Sequence, residues 1–341
     1  GAVSIQFTPL SIAAFIVLML FSSSQKDPKL RAPKVIIGSS SSELPSFLYF
    51  IFHLNLIHYI LGIQEGNKGL IKMSNVVITG STKGVGRGLA NEFARLGHNV
   101  VIASRNQEDI AKATQEMNKK SEGNIIGQVC DISDKVQIEA LWELAKSEFG
   151  TIDYWINNAG YASGQNPVHK VPESLINTMI NTNSIGTLFC SQVAINGFRT
   201  QGSGNLYNML GGSFDGKRLT PGMGVYSSTK ASINILTKYL VAENKNTGIV
   251  IGTISPGVLV TENWLNEQKR LTNEEWTKQR PMVSIICDHV ETATPWIVDE
   301  ILKNDISGKR IAWLTTYKII LRFIQAKLLG KKRDIFTRYG L

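Results

Sequence analysis

From residue 75 onward, short apolar β-branched runs alternate with longer segments whose apolar residues recur at helical spacing. Asn75 to Thr79 reads as a strand ending in glycine, and Val85 to Leu96 follows with helical periodicity. Asn99 to Ala103 is again a strand and Gln107 to Lys120 again a helix. Further strands are predicted at Ile125 to Val129, Tyr154 to Asn157, Asn205 to Asn208 and Val250 to Ile254, with helices centred near Ile138, Met179, Ile233 and Thr292. This alternation means repeated strand–helix–strand units: an α/β unit with a doubly wound parallel sheet and helices on both faces. A ligand then belongs at the carboxyl ends of the strands.

The first 72 residues lack that alternation. Leu10 to Phe21 is an apolar run too short for a confident spanning helix, whereas Leu44 to Ile63 is long enough but carries His53, Asn55 and His58. Lys26, Lys29, Arg31 and Lys34 lie between the runs, so a membrane hairpin with a positive loop is physically feasible. The competing expectation, which we prefer, takes Met73 as the start of the working protein and residues 1–72 as a non-native leader.

Composition narrows the classes. With 341 residues, 43% of them hydrophobic, the chain can bury one large core. Cys130, Cys190 and Cys287 are far apart, with no CxxC pair, and the five histidines are scattered, so no metal site and no disulfide framework is expected and a reducing, cytoplasmic compartment fits. The net charge of +9 is spread along the chain except for Lys331, Lys332 and Arg333, and no aromatic–basic interleaving suggests a nucleic-acid platform.

Thr79-Gly80-Ser81-Thr82-Lys83-Gly84-Val85-Gly86 follows the first strand and opens the first helix. Gly80 permits the tight turn. Gly84 and Gly86 are read as leaving room where backbone approaches a pyrophosphate at the helix N-terminus, as in a Rossmann-type fold. The spacing GxxxGxG resembles the fingerprint of the short-chain dehydrogenase/reductase family. Further matches fall in chain order: Asp131 with Ile132, Asn157-Asn158-Ala159-Gly160, Asn183, Ser213, Tyr226 to Lys230, and Ser255-Pro256-Gly257 with Thr261. The resemblance covers roughly Met73 to Gly308. It implies cofactor contacts from Gly80, Ser81, Lys83, Gly84, Val85, Gly86, Asn158, Ala159, Gly160, Pro256 and Gly257, an adenine contact from Asp131 with Ile132, and a carboxamide contact from Thr261.

Charge at the end of the second strand bears on the cofactor. An acidic residue there binds ribose hydroxyls, but this chain reads Ala103-Ser104-Arg105-Asn106. Arg105 offers a planar fork for a 2′-phosphate, with Lys83 and Ser104 at the same corner, which favours NADP(H).

Tyr226 and Lys230 stand four apart in a helical segment and so share a face. A phenol with a pKa of about 10 is a poor acid at neutral pH. An adjacent ammonium and the positive nicotinamide ring of the oxidised cofactor are both expected to lower it, making Tyr226 the general acid for reduction. The resemblance gives Lys230 a second role on the nicotinamide ribose, puts Ser213 on the substrate oxygen, and makes Asn183 the anchor of a proton-conducting water chain. These four residues define an enzyme interconverting a carbonyl and an alcohol. The alternative is a non-catalytic NADP(H)-sensing or interaction protein on the same fold.

The segment from Gly257 to Asp288 matches the family's mobile lid, and Trp264 and Trp276 within it suit a bulky apolar substrate. The run Asn205 to Ser213 also resembles the chlorophyll b reductase branch, which reduces a formyl group on a large porphyrin ring. The layout is thus a leader over 1–72, a catalytic domain over 73–313 and a basic amphipathic tail over 314–341. Lys318, Arg322 and Gln325 form one polar stripe of that tail, which is read as a helix lying on a membrane surface or packing on the core or a second subunit. A small-molecule partner, a homo-oligomer, and a peripheral membrane contact through the leader or the tail complete the expectations.

Overall fold

The computed structural model describes residues 73–163, 166–327, 330 and 333–341. The leader with its two apolar runs lies outside the described residues. Strands β1 (Asn75–Thr79), β2 (Asn99–Ser104), β3 (Ile125–Val129), β4 (Tyr154–Asn157), β5 (Gly204–Met209) and β6 (Ile249–Ser255) form one parallel sheet. Its order is β3-β2-β1-β4-β5-β6-β9, with β9 (Arg310–Ala312) at one edge. The chain leaves β1 towards β2 and β3, and enters β4 on the other side. The switch point for a ligand is therefore between β1 and β4.

Central strands are apolar on both faces because both faces are covered. On one face Val76, Ile78, Val100 and Ile102 pack with Leu89 and Phe93 of α1 (Gly84–Arg95) and with a later helix carrying Ile297 and Ile301. On the other, Val77, Val101, Trp155, Leu206 and Ile251 meet Ile138, Leu141 and Trp142 of α3 (Lys135–Phe149). The alternation of Val76 and Val77 between the two clusters is the period-2 pleat made visible. Polar caps fix where helices begin: Asn106 accepts from Asp109 N–H at the start of α2 (Gln107–Asn118), and Asp134 accepts from Val136 N–H before α3.

The helix centred near Met179 is in fact three pieces: α4 (Glu173–Met179), a π-helical turn over Ile180–Gly186 and α5 (Thr187–Gln201). Next come α6 (Gly224–Glu243) and β7 (Val258–Val260). The segment matched to a lid holds α7 (Glu262–Gln268) and α8 (Asn273–Ile286), the latter opened by a capping box of Thr272 and Glu275. It closes with β8 (Cys287–His289), parallel to β7. Helix α9 (Val290–Leu302), β9 and α10 (Thr316–Lys327) complete the unit. The three-residue β9 has too few positions to show a period in sequence.

Gly197 of α5 is a packing requirement. A Cβ there would lie 1.9 Å from Trp142 Cζ2. That indole is wedged against Trp155 (5.7 Å) and Phe198 (5.4 Å) and cannot swing away. Gly197→Ala should cost about 1–3 kcal/mol through overpacking and lower the melting midpoint by several degrees in a calorimetric scan; an unchanged midpoint would show the indole to be mobile.

Candidate active site

The glycine turn between β1 and α1 is shaped by the protein's own backbone. Gly80 and Gly84 have φ of +62° and +57°, which a side chain would strain. A Cβ at Gly80 would come within 2.7 Å of Ala159 Cα, and one at Gly86 within 2.4 Å of Asn158 Nδ2 and 2.5 Å of the Gly80 carbonyl. The reading of Gly86 as room for a ligand is thus corrected: its missing side chain makes room for Asn158. Asn158 Nδ2 donates to the carbonyls of Thr79 and Gly80 at 3.0 and 2.9 Å, while Thr79 Oγ1 accepts from the backbone N–H groups of Asn158 and Ala159. Ser81 is also turned inward. Its hydroxyl donates to the Ile78 carbonyl and accepts from Ala103 N–H, tying the turn to β2. Val85 packs beside the core.

Around this turn stand the residues predicted for the cofactor. Lys83 Nζ pairs with Asp109 at 2.9 Å, and that hydrogen bond raises its pKa. Arg105, past β2 and Ser104, is exposed and has no ion pair among the described residues. Asp131 accepts from the N–H and hydroxyl of Ser133, which leaves its second carboxylate oxygen uncommitted. Ile132 is buried against Gly186. Gly257, after Pro256, has φ +77° and abuts Leu314, while Thr261 caps α7 by accepting from Trp264 N–H and sets its methyl facing Gly84.

The four predicted catalytic residues come from β5, α6 and the π-helical turn. Lys230 Nζ donates to the Met209 carbonyl at 3.0 Å and lies 5.8 Å from the Tyr226 ring centroid. A Cβ on Gly160 would be 3.5 Å from that ammonium and 3.4 Å from Asn183 Oδ1, so the loop after β4 closes over both. Tyr226 presses its hydroxyl against Gly211, where a Cβ would be 2.3 Å away. Asn183 is fully buried, and its amide is spent on Tyr161 N–H, the Tyr161 carbonyl and Thr229 Oγ1. A π-turn widens the helix there, a device common at functional sites. Ser213 adopts φ +59° and donates its hydroxyl to the Arg218 carbonyl.

One electrostatic expectation is reversed. Burial pushes the Tyr226 phenol up to about 12, and burial lowers Lys230 to about 8. The ammonium was expected to lower the phenol, but it points at the Met209 carbonyl and loses charge stabilisation itself. A second correction concerns the lid. Trp264 stacks on Phe336 with centroids 5.3 Å apart, and Trp276 meets the same ring edge-on at 5.2 Å. The tryptophans read as substrate-facing thus commit part of their surface to the tail. Of the alternatives for α10, packing on the core is the one its contacts follow: Arg322 is buried on Asp288 and Lys318 covers the Trp313 ring, so of the polar stripe only Gln325 is exposed. Among the described residues no helix is long and apolar enough to cross a membrane, and no group of ligands could hold a metal ion.

Sequence reading missed three supporting hydroxyl and amide groups. Thr79 holds Asn158, Thr229 holds Asn183, and Asn157 bridges Trp155 Nε1, Ser191 and Asn208 beneath the site. Polar residues inside otherwise apolar strands, as at Asn157 and Asn208, were the available signal.

Residues 74–272 match the short chain dehydrogenase family. The chain is 32% identical over 271 residues to the probable chlorophyll(ide) b reductase NYC1, chloroplastic, of Arabidopsis thaliana, covering 74% of this chain and 53% of that protein. It therefore spans about half the length of that relative. It is 33% identical over 274 residues to the chlorophyll(ide) b reductase NOL, chloroplastic, of Oryza sativa subsp. japonica, covering 77% of this chain and 78% of the other. Among solved structures, ElxO with NADP bound superposes with a TM-score of 0.62 at 27% identity, over 70% of this chain and 96% of ElxO. With its family motifs gathered at the switch point of the same parallel sheet, the chain belongs to the short-chain dehydrogenase family.

Proposed function

We propose that this protein is an NADPH-dependent reductase of a bulky apolar aldehyde or ketone, with formyl tetrapyrroles as the leading substrate class. The observation that carries the proposal is the joint burial of Lys230 and Asn183 beside Tyr226, at the carboxyl ends of the strands flanking the switch point. The names of the NYC1 and NOL relatives support the substrate class.

The residues present fit the dinucleotide. The N-terminus of α1 carries no acidic residue in its first turn to repel a pyrophosphate. Arg105 is free to take a 2′-phosphate, Asp131 has a carboxylate oxygen to spare, and Thr261 faces Gly84 across the turn. Bound there, the reduced nicotinamide supplies the hydride. Tyr226, held neutral by burial, retains the proton that the substrate oxygen requires and delivers it as that oxygen gains negative charge. Lys230, next to the phenol, then favours the phenolate left behind and passes a proton back. Ser213 must release the Arg218 carbonyl before donating to the substrate oxygen.

Tyr226→Phe should cut turnover by about 10²–10⁴-fold while titration of NADPH fluorescence gives an unchanged affinity, because only the transferable proton is lost. Full activity in that variant would remove Tyr226 from the chemistry. Arg105→Glu should weaken NADPH by roughly 10–100-fold, since a charge-assisted contact is worth about 1.5–3 kcal/mol, and leave NADH much less affected; equal losses would make Arg105 merely structural. Without cofactor, the Lys230 contribution to stability should rise with pH between about 8 and 10, because in that window the unfolded chain keeps the proton (ordinary value 10.5) that the folded protein has released at about 8. Lys318, lowered to about 8 by burial as well, adds to the same trend, while Cys130 and Cys287, raised to about 12 by burial, oppose it above about 9. Lys230→Met should therefore make the pH slope between about 8 and 10 less positive than the parent's in urea titrations at several pH values, and equal slopes would show that Lys230 contributes nothing to it.

A further inference from the structure

Outside the reaction centre, Asp288 of β8, 2% exposed, is the hub of a buried hydrogen-bond cluster. Arg322 of α10 engages both its oxygens at 2.9 and 2.8 Å, Arg333 reaches one at 2.5 Å, and Trp313 Nε1 donates at 2.7 Å. Arg333 does more than pair. Its other terminal nitrogen donates to the carbonyls of Ser284 and Ile285 in the last turn of α8 and of Cys287 at the start of β8. Three residues on, Phe336 is buried with Ile335 in a cluster that takes in Trp264 and Leu265 of α7 and Trp276 and Val283 of α8. Arg338 pairs with Glu291 at the start of α9.

The tail therefore grips both helices of the segment between β7 and β8, one by a half-buried guanidinium and both by the Phe336 ring. These contacts lie on α7, α8, β8 and α9. The glycine turn, Arg105 and Lys230 are held by β1, β4, β5 and Asn158, with no bond to residues 333–341 among those described above. We infer that residues 333–341 are a working part of the substrate lid, in which Arg333 and Phe336 are positioning residues that fix α7 and α8 and so set substrate recognition far more than dinucleotide affinity, to which α7 contributes only through its cap, Thr261. This rests on the reading of α7 and α8 as the lid of a reductase. Its substrate class is the same bulky apolar carbonyl, admitted along the indole surfaces that Phe336 leaves uncovered. An Arg is required at 333 because five donors in a plane can serve a carboxylate and three carbonyls at once, whereas an ammonium has three donors.

The full chain with Phe336→Ala, Phe336→Leu, Arg333→Gln and Arg333→Lys provides the test, read in three ways. Trypsin should cut the lid after Lys269, Arg270 or Lys278 about tenfold faster in Phe336→Ala and Arg333→Gln, since local opening governs cleavage. The KM for 2-naphthaldehyde should rise by about tenfold, with NADPH affinity held within about twofold. Phe336→Leu and Arg333→Lys should fall between these variants and the parent, and they keep the test valid if the harsher changes unfold the protein. Unchanged lid cleavage, or NADPH affinity lost in step with KM, would overturn the inference. If the parent turned over no aldehyde, the reductase reading would fail, while lid cleavage would still report whether the tail holds α7 and α8.

Discussion

Thr79 and Asn158 are 79 residues apart in sequence, yet the carboxyl ends of their strands must meet so closely that a single Cβ on Gly80 would collide with Ala159. At a switch point the connections leave in opposite directions, so no loop covers the crevice and the two strand ends must be joined by their own atoms. The joint is the Asn158 amide, bridging two carbonyls that the turn would otherwise leave unpaired. Gly86 exists to admit that amide, and Ser81 carries the same junction across to β2. The shape of the presumed pyrophosphate cradle is therefore a by-product of backbone hydrogen-bond satisfaction, with the helix N-terminus left open above it.

Beneath the reaction centre, polar groups are buried in a chain from Trp155 through Asn157 and Asn208 to Thr237. Each member is bonded, which is the condition under which a buried network stiffens a site instead of weakening it. Asn183 extends the same logic to the π-helical turn, fixing Tyr161 and Thr229 with one amide. Against this rigid base, Lys230 and Tyr226 are each held away from their charged forms by burial. The consequences are opposite: the phenol keeps its proton until the substrate oxygen takes it, whereas the ammonium is readied to give its proton up.

The segment after β7 is organised differently. Trp264 and Trp276 meet edge-to-face at 6.3 Å, and Phe336 of the tail packs against both rings. A buried carboxylate between two guanidinium groups is weak evidence for stability, because desolvation offsets much of the attraction. Its directional bonds nonetheless specify one register of tail against lid, which a greasy contact alone would leave loose.

Strand and helix order, the glycine turn and the Tyr226–Lys230 pair were legible in the sequence because they rest on local properties: periodicity, φ-permissive residues and spacing along one helix. Strands β1 to β6 illustrate this, since each carries a short run rich in apolar and β-branched residues. What the tertiary structure alone decided depends on groups distant in sequence. The short β9 takes its form from pairing with β6, and Asn158 takes its place from Thr79. The direction of the Tyr226 shift reversed because burial, which no local window reports, outweighs the neighbouring ammonium. Arg322 looked like one cation of an exposed stripe, yet Asp288, 34 residues earlier, draws it into the interior. Local sequence sets which conformations a segment can adopt, but charge state and burial are set by whatever the fold brings alongside.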